Sequence, residues 1–456
     1  MTVVHQLNAQ AERLRDRPAL WHRRGGRWQA TSWRHYAQRV RHCALGLSSL
    51  GFGRGQVLLV TGPSREEWVV GSLGAMALGG VAVGVDPSWG PERLASVAVH
   101  CEATVALVEG PSMLASAWPA LARAPSVRHL VLMDAAAQRA RGVSSFAELV
   151  ELGSRGDEAD FYSALEAVKG GDPAQLVYGE EPQLEAVTLT HHNLAWTASQ
   201  LALTYGVGED DVLMCCASLS KASAQVVSVH LPLLAGAQTS FGQGAAQVMD
   251  DLAEVRPTLF FASPEVWGLI DARAEALAGA PGSLHGLLVR ARPVARRIHL
   301  EAQGHQPSGL GLQGQYALAR RLVLGPLKER LGLDRGRLLA TLGRLAQRET
   351  FERLASLDVV VSELYGQAAA TGVISLNAPG AAKFGSQGRP MLGIEVRVAP
   401  DGEVLVRGAN VCAGSFKDAP REAELLRGGW LHTGDRGALD EEGFLSISEE
   451  RSGSAR

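Results

Sequence analysis

Between Val57 and Asp134, four short apolar runs, VLLVTG, GVAVGVDP, ATVALVEG and VRHLVLMD, alternate with the helix-length segments SREEWVVGSLGAMAL, GPERLASVAVHC and PSMLASAWPALARA. Strands that are apolar on both faces and joined by helices belong to a parallel sheet covered on both sides. This alternation excludes a helical bundle and an antiparallel sandwich for the first third of the chain. The turn GFGRGQ, Gly51 to Gln56, resembles a glycine fingerprint but precedes a strand, so it reads as a helix-to-strand turn and not as a dinucleotide site. The uncharged stretch from Trp68 to Val85 is just long enough to span a bilayer. Five glycines interrupt it and the strand–helix alternation flanks it, so it reads as a buried helix followed by a strand.

A second α/β block is expected from about Thr190 to Gly372, carried by DDVLMCCASL, VSVHLPLLAGAQTSF, PTLFFASPEVWGLI and DVVVSELYG. Within it lies a helical insertion between Pro264 and Arg337, whose arginine run RARPVARR reads as the solvated face of a helix. After Gly372 the period changes to two. GIEVRVAPDGEVLVRGANV alternates around an Asp-Gly turn, and GGWLHTGDRGALDEEGFLSIS repeats the device, which marks antiparallel hairpins. The expected architecture is two packed α/β subdomains with mainly parallel sheets, residues 1–189 and 190–375, followed by a small antiparallel β subdomain at 376–448. The polar tail 449–456 is expected to fray. With 456 residues, one core would not suffice, so this division is also expected from length.

Composition narrows the function. An apolar content of 46% supports a buried core, and a formal net charge of −3 gives no overall basic footprint for nucleic acid or an anionic membrane. The five cysteines, Cys43, Cys101, Cys215, Cys216 and Cys412, show no metal spacing and read as reduced thiols, hence a cytoplasmic protein. The N-terminus is amphipathic and lacks the apolar run of a signal peptide. No integral membrane segment is expected.

The stretch LVYGEEPQLEAVTLTHHNL, Leu176 to Leu194, is framed like a nucleotide-binding turn, with an apolar strand before it and a helix start after it. A loop that cradles phosphate needs free backbone N–H groups, small residues and positive charge. The turn from Gly179 to Ala186 has one glycine, no serine, threonine or lysine, and three glutamates. The pair His191-His192 has no third ligand nearby in sequence, so Thr190 and His191 read as a helix start and not as a metal site.

GWLHTGDRGALDEEGFLSI resembles the signature of the adenylate-forming (AMP-binding) superfamily, which includes acyl-CoA synthetases, luciferases and peptide-synthetase adenylation domains. ELYGQAAATG is similar to that family's tyrosine-glycine adenine motif, and GRPMLGIEVRVAPDGEVLVRGANV continues in the family's order. RPTLFFASPEVW and the helical insertion resemble the long-chain fatty acyl-CoA synthetase branch. The resemblance runs from about Pro18 to Ser448 and is most specific at HTGD. It implies an acyl-CoA synthetase N-terminal-domain fold, with Tyr365 and Gly366 at the adenine and Asp435 at the ribose hydroxyls. Beside that stands a plainer reading of these residues, a turn-capping Asp and a core Tyr.

Against the family pattern the chemistry is missing. The resemblance places the phosphate-loop lysine on Glu185 and its glycine on Ala186, with the loop two residues short after Tyr178. A like-charge pair at about 4 Å costs on the order of 4 kcal/mol at an effective dielectric of about 20. The family's Thr-Glu pair, whose glutamate helps hold Mg²⁺, falls on Ala368 and Ala369 after Gln367. The adenine segment ATLGRLAQ keeps Gly343 but sets Arg344 beside it, and an aromatic or histidine position becomes Lys221. The hinge arginine falls on Glu450, with Arg451 next to it, and the chain stops at Arg456, so the lid domain is expected to be absent.

These losses imply a catalytically inactive acyl-CoA synthetase-like protein with no catalytic residue and no bound metal, acting by binding an acyl chain or a partner protein. The alternative is an active long-chain fatty acid–CoA ligase using ATP, Mg²⁺ and CoA. A half-enzyme completed by a lid on another chain leaves the loop changes unexplained.

Overall fold

The computed structural model describes residues 2–134, 142–180, 183–244, 246–279, 283–303, 307–343, 348–378, 382–383 and 385–449. Two large sheets and one small one organise it. The first sheet has eight strands in the order Gly414–Ser415, Ala186–Thr190, Pro173–Tyr178, Val81–Val85, Val57–Thr61, Val105–Val108, His129–Leu132 and Val143–Ser145. From Pro173–Tyr178 onward every pairing is parallel, as the alternating apolar runs require. Both Val57–Thr61 and Val81–Val85 are buried along their whole length.

The second sheet has nine strands, Arg389–Pro390, Ser375–Leu376, Val361–Tyr365, Leu338–Leu342, Leu259–Ala262, Val212–Cys215, Gln238–Phe241, Pro18–Arg24 and Arg27–Ser32. Its centre is parallel and both edges are antiparallel. The third, Glu395–Val398, Glu403–Arg407, Leu431–Leu439 and Leu445–Glu449, is wholly antiparallel. Thus the architecture is the expected α/β pair with a small β unit.

Chain boundaries are less simple than the sequence division at 189 and 376. The N-terminal hairpin Pro18–Ser32 belongs to the second sheet, and Gly414–Ser415 returns to the first. Both crossings join strands far apart in sequence, where a pattern read along one segment carries no pairing information. The apolar run VSVHLPLL folds as helix, Val226–His230 with a π turn and then Leu231–Ala235, before the strand Gln238–Phe241.

The glycine-interrupted stretch from Trp68 to Val85 forms the fully buried helix Glu66–Ala77 and the strand Val81–Val85. A Cβ on Gly71 would come within 2.6 Å of the Leu107 side chain, so glycine here lets helix and sheet approach. Among the described residues no helix is long and apolar enough to cross a membrane.

A capping box starts the helix His191–Tyr205: Thr190 accepts from the Asn193 N–H and Asn193 accepts from the Thr190 N–H. His191, its first residue, is fully buried, and neither ring nitrogen has a hydrogen-bond partner. Burial holds its pKa down at about 4, and that of the neighbouring buried His230 at about 3.

An unfolded histidine takes a proton near 6.5, so the folded state is favoured fully above that pH and loses stability as pH falls toward 4. The urea midpoint is therefore expected to fall between about pH 7 and pH 4, and less steeply in His191→Leu. Parallel pH profiles for the two proteins would contradict this assignment.

Candidate functional site

The carboxyl ends of parallel strands are where open α/β sheets hold ligands. Here the loops after Val57–Thr61 and Val81–Val85 meet the segment after Val212–Cys215 from the other sheet. The Ser64 hydroxyl donates to the Ala217 carbonyl at 2.8 Å and accepts from the Leu219 N–H at 3.2 Å. A Cβ on Gly84 would come within 2.9 Å of the Ser220 Cα, so the two halves touch closely at this seam.

The loop under question joins two antiparallel strands, with Tyr178 opposite Ala186. Its ends are zipped together. The Gly179 N–H donates to the Glu185 carbonyl at 3.1 Å, and the Glu185 N–H to the Gln183 carbonyl at 3.0 Å. The Gly179 carbonyl accepts from Arg93 at 2.5 Å, while the Arg93 guanidinium stacks on the Trp89 ring at 4.5 Å. A phosphate cradle leaves such N–H groups free to point at the ligand; here two of them are spent inside the loop.

Each described glutamate of the loop has a cation. The Glu185 carboxylate meets Arg421 Nε at 3.1 Å, and Glu180 meets Lys221 Nζ at 3.0 Å. Arg421 lies on the short helix Ala419–Leu425, capped by Asp418. Lys221 stands at the start of Ala222–Gln225 and is also felt by Asp86. Burial raises the Asp86 carboxyl, but hydrogen bonds from Ser218 and Ser88 and the Lys221 charge outweigh it and hold the group below its ordinary range. Both ion pairs are partly exposed, so each contributes at most about 1 kcal/mol to stability. Their larger effect is on the field: the described loop glutamates neutralise Arg421 and Lys221.

The residues that the resemblance assigns to adenine and ribose, Tyr365 and Asp435, lie together. The Tyr365 hydroxyl donates to Asp435 Oδ2 at 2.5 Å, and both residues are buried. Burial and then the Asp435 charge push the Tyr365 phenol well above its usual pKa. Thr433 orients the neighbourhood. Its hydroxyl donates to the Val404 carbonyl at 2.7 Å and accepts from the Asp435 N–H at 3.1 Å, and its carbonyl accepts from Gln367 at 3.3 Å.

Gly366 follows Tyr365 because nothing larger fits, since a Cβ there would lie 2.3 Å from the Gly372 carbonyl oxygen. The turn it opens contains Ala368–Ala370 as one buried 3-10 turn. At the magnesium position, Ala369 offers its carbonyl to the Cys412 N–H at 2.8 Å and has no side-chain oxygen. Gly343 takes φ +99° at the end of its strand. Arg344, Glu450 and Arg451 lie outside the described residues.

Magnesium triphosphate does not fit this donor set. The Gly179 and Glu185 N–H groups bond within the loop, the loop presents the carboxylates of Glu180 and Glu185, and Ala369 carries only a methyl group. Among the described residues no cluster of three or more His, Cys, Asp or Glu side chains could hold a metal ion. Sequence reasoning missed Arg421, Arg93 and Asp86. The charge inversion itself was the available signal, because acids crowded on a loop demand cations, but the partner is 236 residues away.

The model of the AMP-binding enzyme family matches residues 7–416. The chain belongs to that family. Within it, a long-chain-fatty-acid–CoA ligase of Xenopus laevis is 28% identical over 464 residues, covering 98% of this chain and 62% of that protein. One of Gallus gallus is 28% identical over 471 residues, covering 98% and 60%. The chain therefore spans about three-fifths of the length of these relatives.

Among solved structures, a long-chain-fatty-acid–CoA ligase of Archaeoglobus fulgidus matches with TM-score 0.75 at 18% identity, covering 99% of this chain and 84% of that one. A benzoate CoA ligase of Burkholderia xenovorans gives 0.75 at 19%, covering 99% and 80%. At these identities the likeness speaks for the fold of this AMP-binding family member.

The Tyr365–Asp435 contact is a buried hydrogen bond to a carboxylate. Tyr365→Phe removes the donor and is expected to destabilise the protein by about 1–3 kcal/mol in urea unfolding. An unchanged midpoint would mean that the hydroxyl is not bound to Asp435 in solution.

Proposed function

We propose that this AMP-binding family member does not adenylate a carboxylate, and that it acts by binding an acyl chain or a partner protein. One observation carries the reading: Glu180 and Glu185 of the loop stand in ion pairs with Lys221 and Arg421. A triphosphate arriving there meets two carboxylates and no free loop cation. Family chemistry rests on charge stabilisation at the transferring phosphoryl group by lysine, metal and backbone dipoles. Each such contribution is commonly worth roughly 10²-fold in rate or more, and several are replaced here independently. ATP, Mg²⁺ and CoA are therefore not expected as cofactors. A cytoplasmic site of action fits five cysteines that form no disulfide.

The second reading is an active long-chain fatty acid–CoA ligase. It is favoured by the names of the relatives and by the closeness of Tyr365, Gly366 and Asp435.

Purified protein given long-chain fatty acid, ATP·Mg²⁺ and CoA is expected to release no pyrophosphate and to form no thioester. The double change Glu185→Lys with Ala369→Glu returns one phosphate contact and one metal ligand. It is still expected to be inactive, because the loop remains short and Arg421 then faces a second cation. Thioester formation by the unmodified protein refutes the proposal and supports the ligase reading. Activity in the double variant alone would show that those two residues were the only defects.

A further inference from the structure

The helix Ser283–Gln303 and the helix Leu310–Ala319, continued by the π turn Arg320–Leu324, form an antiparallel hairpin in the insertion. Along its outer seam runs a shallow apolar groove of about 290 Å³, lined by Leu287, Arg290 and Val294 from one helix and by Leu318 and Leu322 from the other. The spacing of three to four residues puts each set on one face. Leu287, Leu318 and Leu322 are 45%, 59% and 50% exposed, far more than packing in a water-soluble helix pair requires. Leu310, at the start of the second helix, is 87% exposed.

The same hairpin is strongly basic. Residues 283–324 contain six arginines and one glutamate, a net charge of +5 within a chain whose total is −3. The overall charge therefore conceals a local excess. Arg292, Arg296, Arg297 and Arg320 are paired, with Glu275, Glu352, Glu301 and Asp358. Arg290 and Arg321 are exposed and pair with no acid among the described residues. Exposed leucines flanked by arginines without acidic partners among the described residues are what an interfacial helix presents to anionic headgroups.

We propose that this hairpin docks on the surface of an anionic phospholipid bilayer, with Leu287, Leu318 and Leu322 entering the headgroup boundary and Arg290 and Arg321 meeting lipid phosphates. Charge selects this occupant. Arginine stems lie along apolar surface while their heads reach phosphate, and the remainder of the chain is net negative, so the hairpin is the face such a surface attracts.

The test is co-sedimentation of the full chain with vesicles of phosphatidylcholine alone or mixed with phosphatidylglycerol. Binding is expected to the mixed vesicles only, and to weaken with added salt. Leu318→Glu with Leu322→Glu, and separately Arg290→Glu with Arg321→Glu, are each expected to lower partitioning by at least about tenfold. All four positions are exposed, so thermal stability is expected to stay at the wild-type value and to rule out unfolding. Equal binding to both vesicle types, no binding to either, or insensitivity to both variants overturns the proposal. So does self-association in light scattering that Leu318→Glu abolishes without any vesicle binding, which would make the groove an interface between copies.

Discussion

The ion pair between Glu185 and Arg421 ties the loop of the first sheet to a helix that follows the return strand Gly414–Ser415. It is partly exposed and adds little to folding stability. What it changes is the electrostatic character of the crevice between the sheets. A lysine in this place would leave a positive charge for a phosphate; a glutamate held by arginine leaves a neutral pair. Lys221 is absorbed in the same way by Glu180 and Asp86. On the proposed reading, the family scaffold persists around a loop whose charges are paired off.

That separation of scaffold from chemistry has a physical basis. The sheets are held by long buried strands and by close glycine contacts, such as Gly71 on Leu107 and Gly366 on the Gly372 backbone, the latter leaving no room for a larger side chain. The polar part of the loop, Glu180 and Glu185, is tied to the fold by a few hydrogen bonds and partly exposed ion pairs, whereas Leu184 and Ala186 pack on the core. Tyr365 and Asp435 are intermediate. They keep the family's residue types, yet their direct hydrogen bond also gives each a structural role.

Much of the fold was legible in the sequence because its signals are local. Continuous apolar strands gave the parallel sheets, and the Asp-Gly and Glu-Glu-Gly turns gave the terminal antiparallel sheet. Thr190 and His191 marked a helix start correctly. What the sequence hid is long-range. The hairpin Pro18–Ser32 joins the second sheet beside Gln238–Phe241, and Gly414–Ser415 joins the first beside Ala186–Thr190. Arg421 and Arg93 reach the loop from positions that no spacing rule connects to it. The arginine run of the insertion was legible as a solvated face, and most of it is paired. The exposed leucines beside Arg290 needed two helices to be set side by side.

The central claim of the proposal is that Arg421 and Lys221, the cations paired with the described loop glutamates, are neutralised there and that the loop therefore does not hold magnesium triphosphate. Isothermal titration of the full chain with ATP·Mg²⁺ tests it most directly. The account predicts no saturable heat at millimolar nucleotide. A single-site isotherm with a micromolar Kd, lost in Tyr365→Phe, would contradict it and return the Tyr365–Asp435 pair to nucleotide binding.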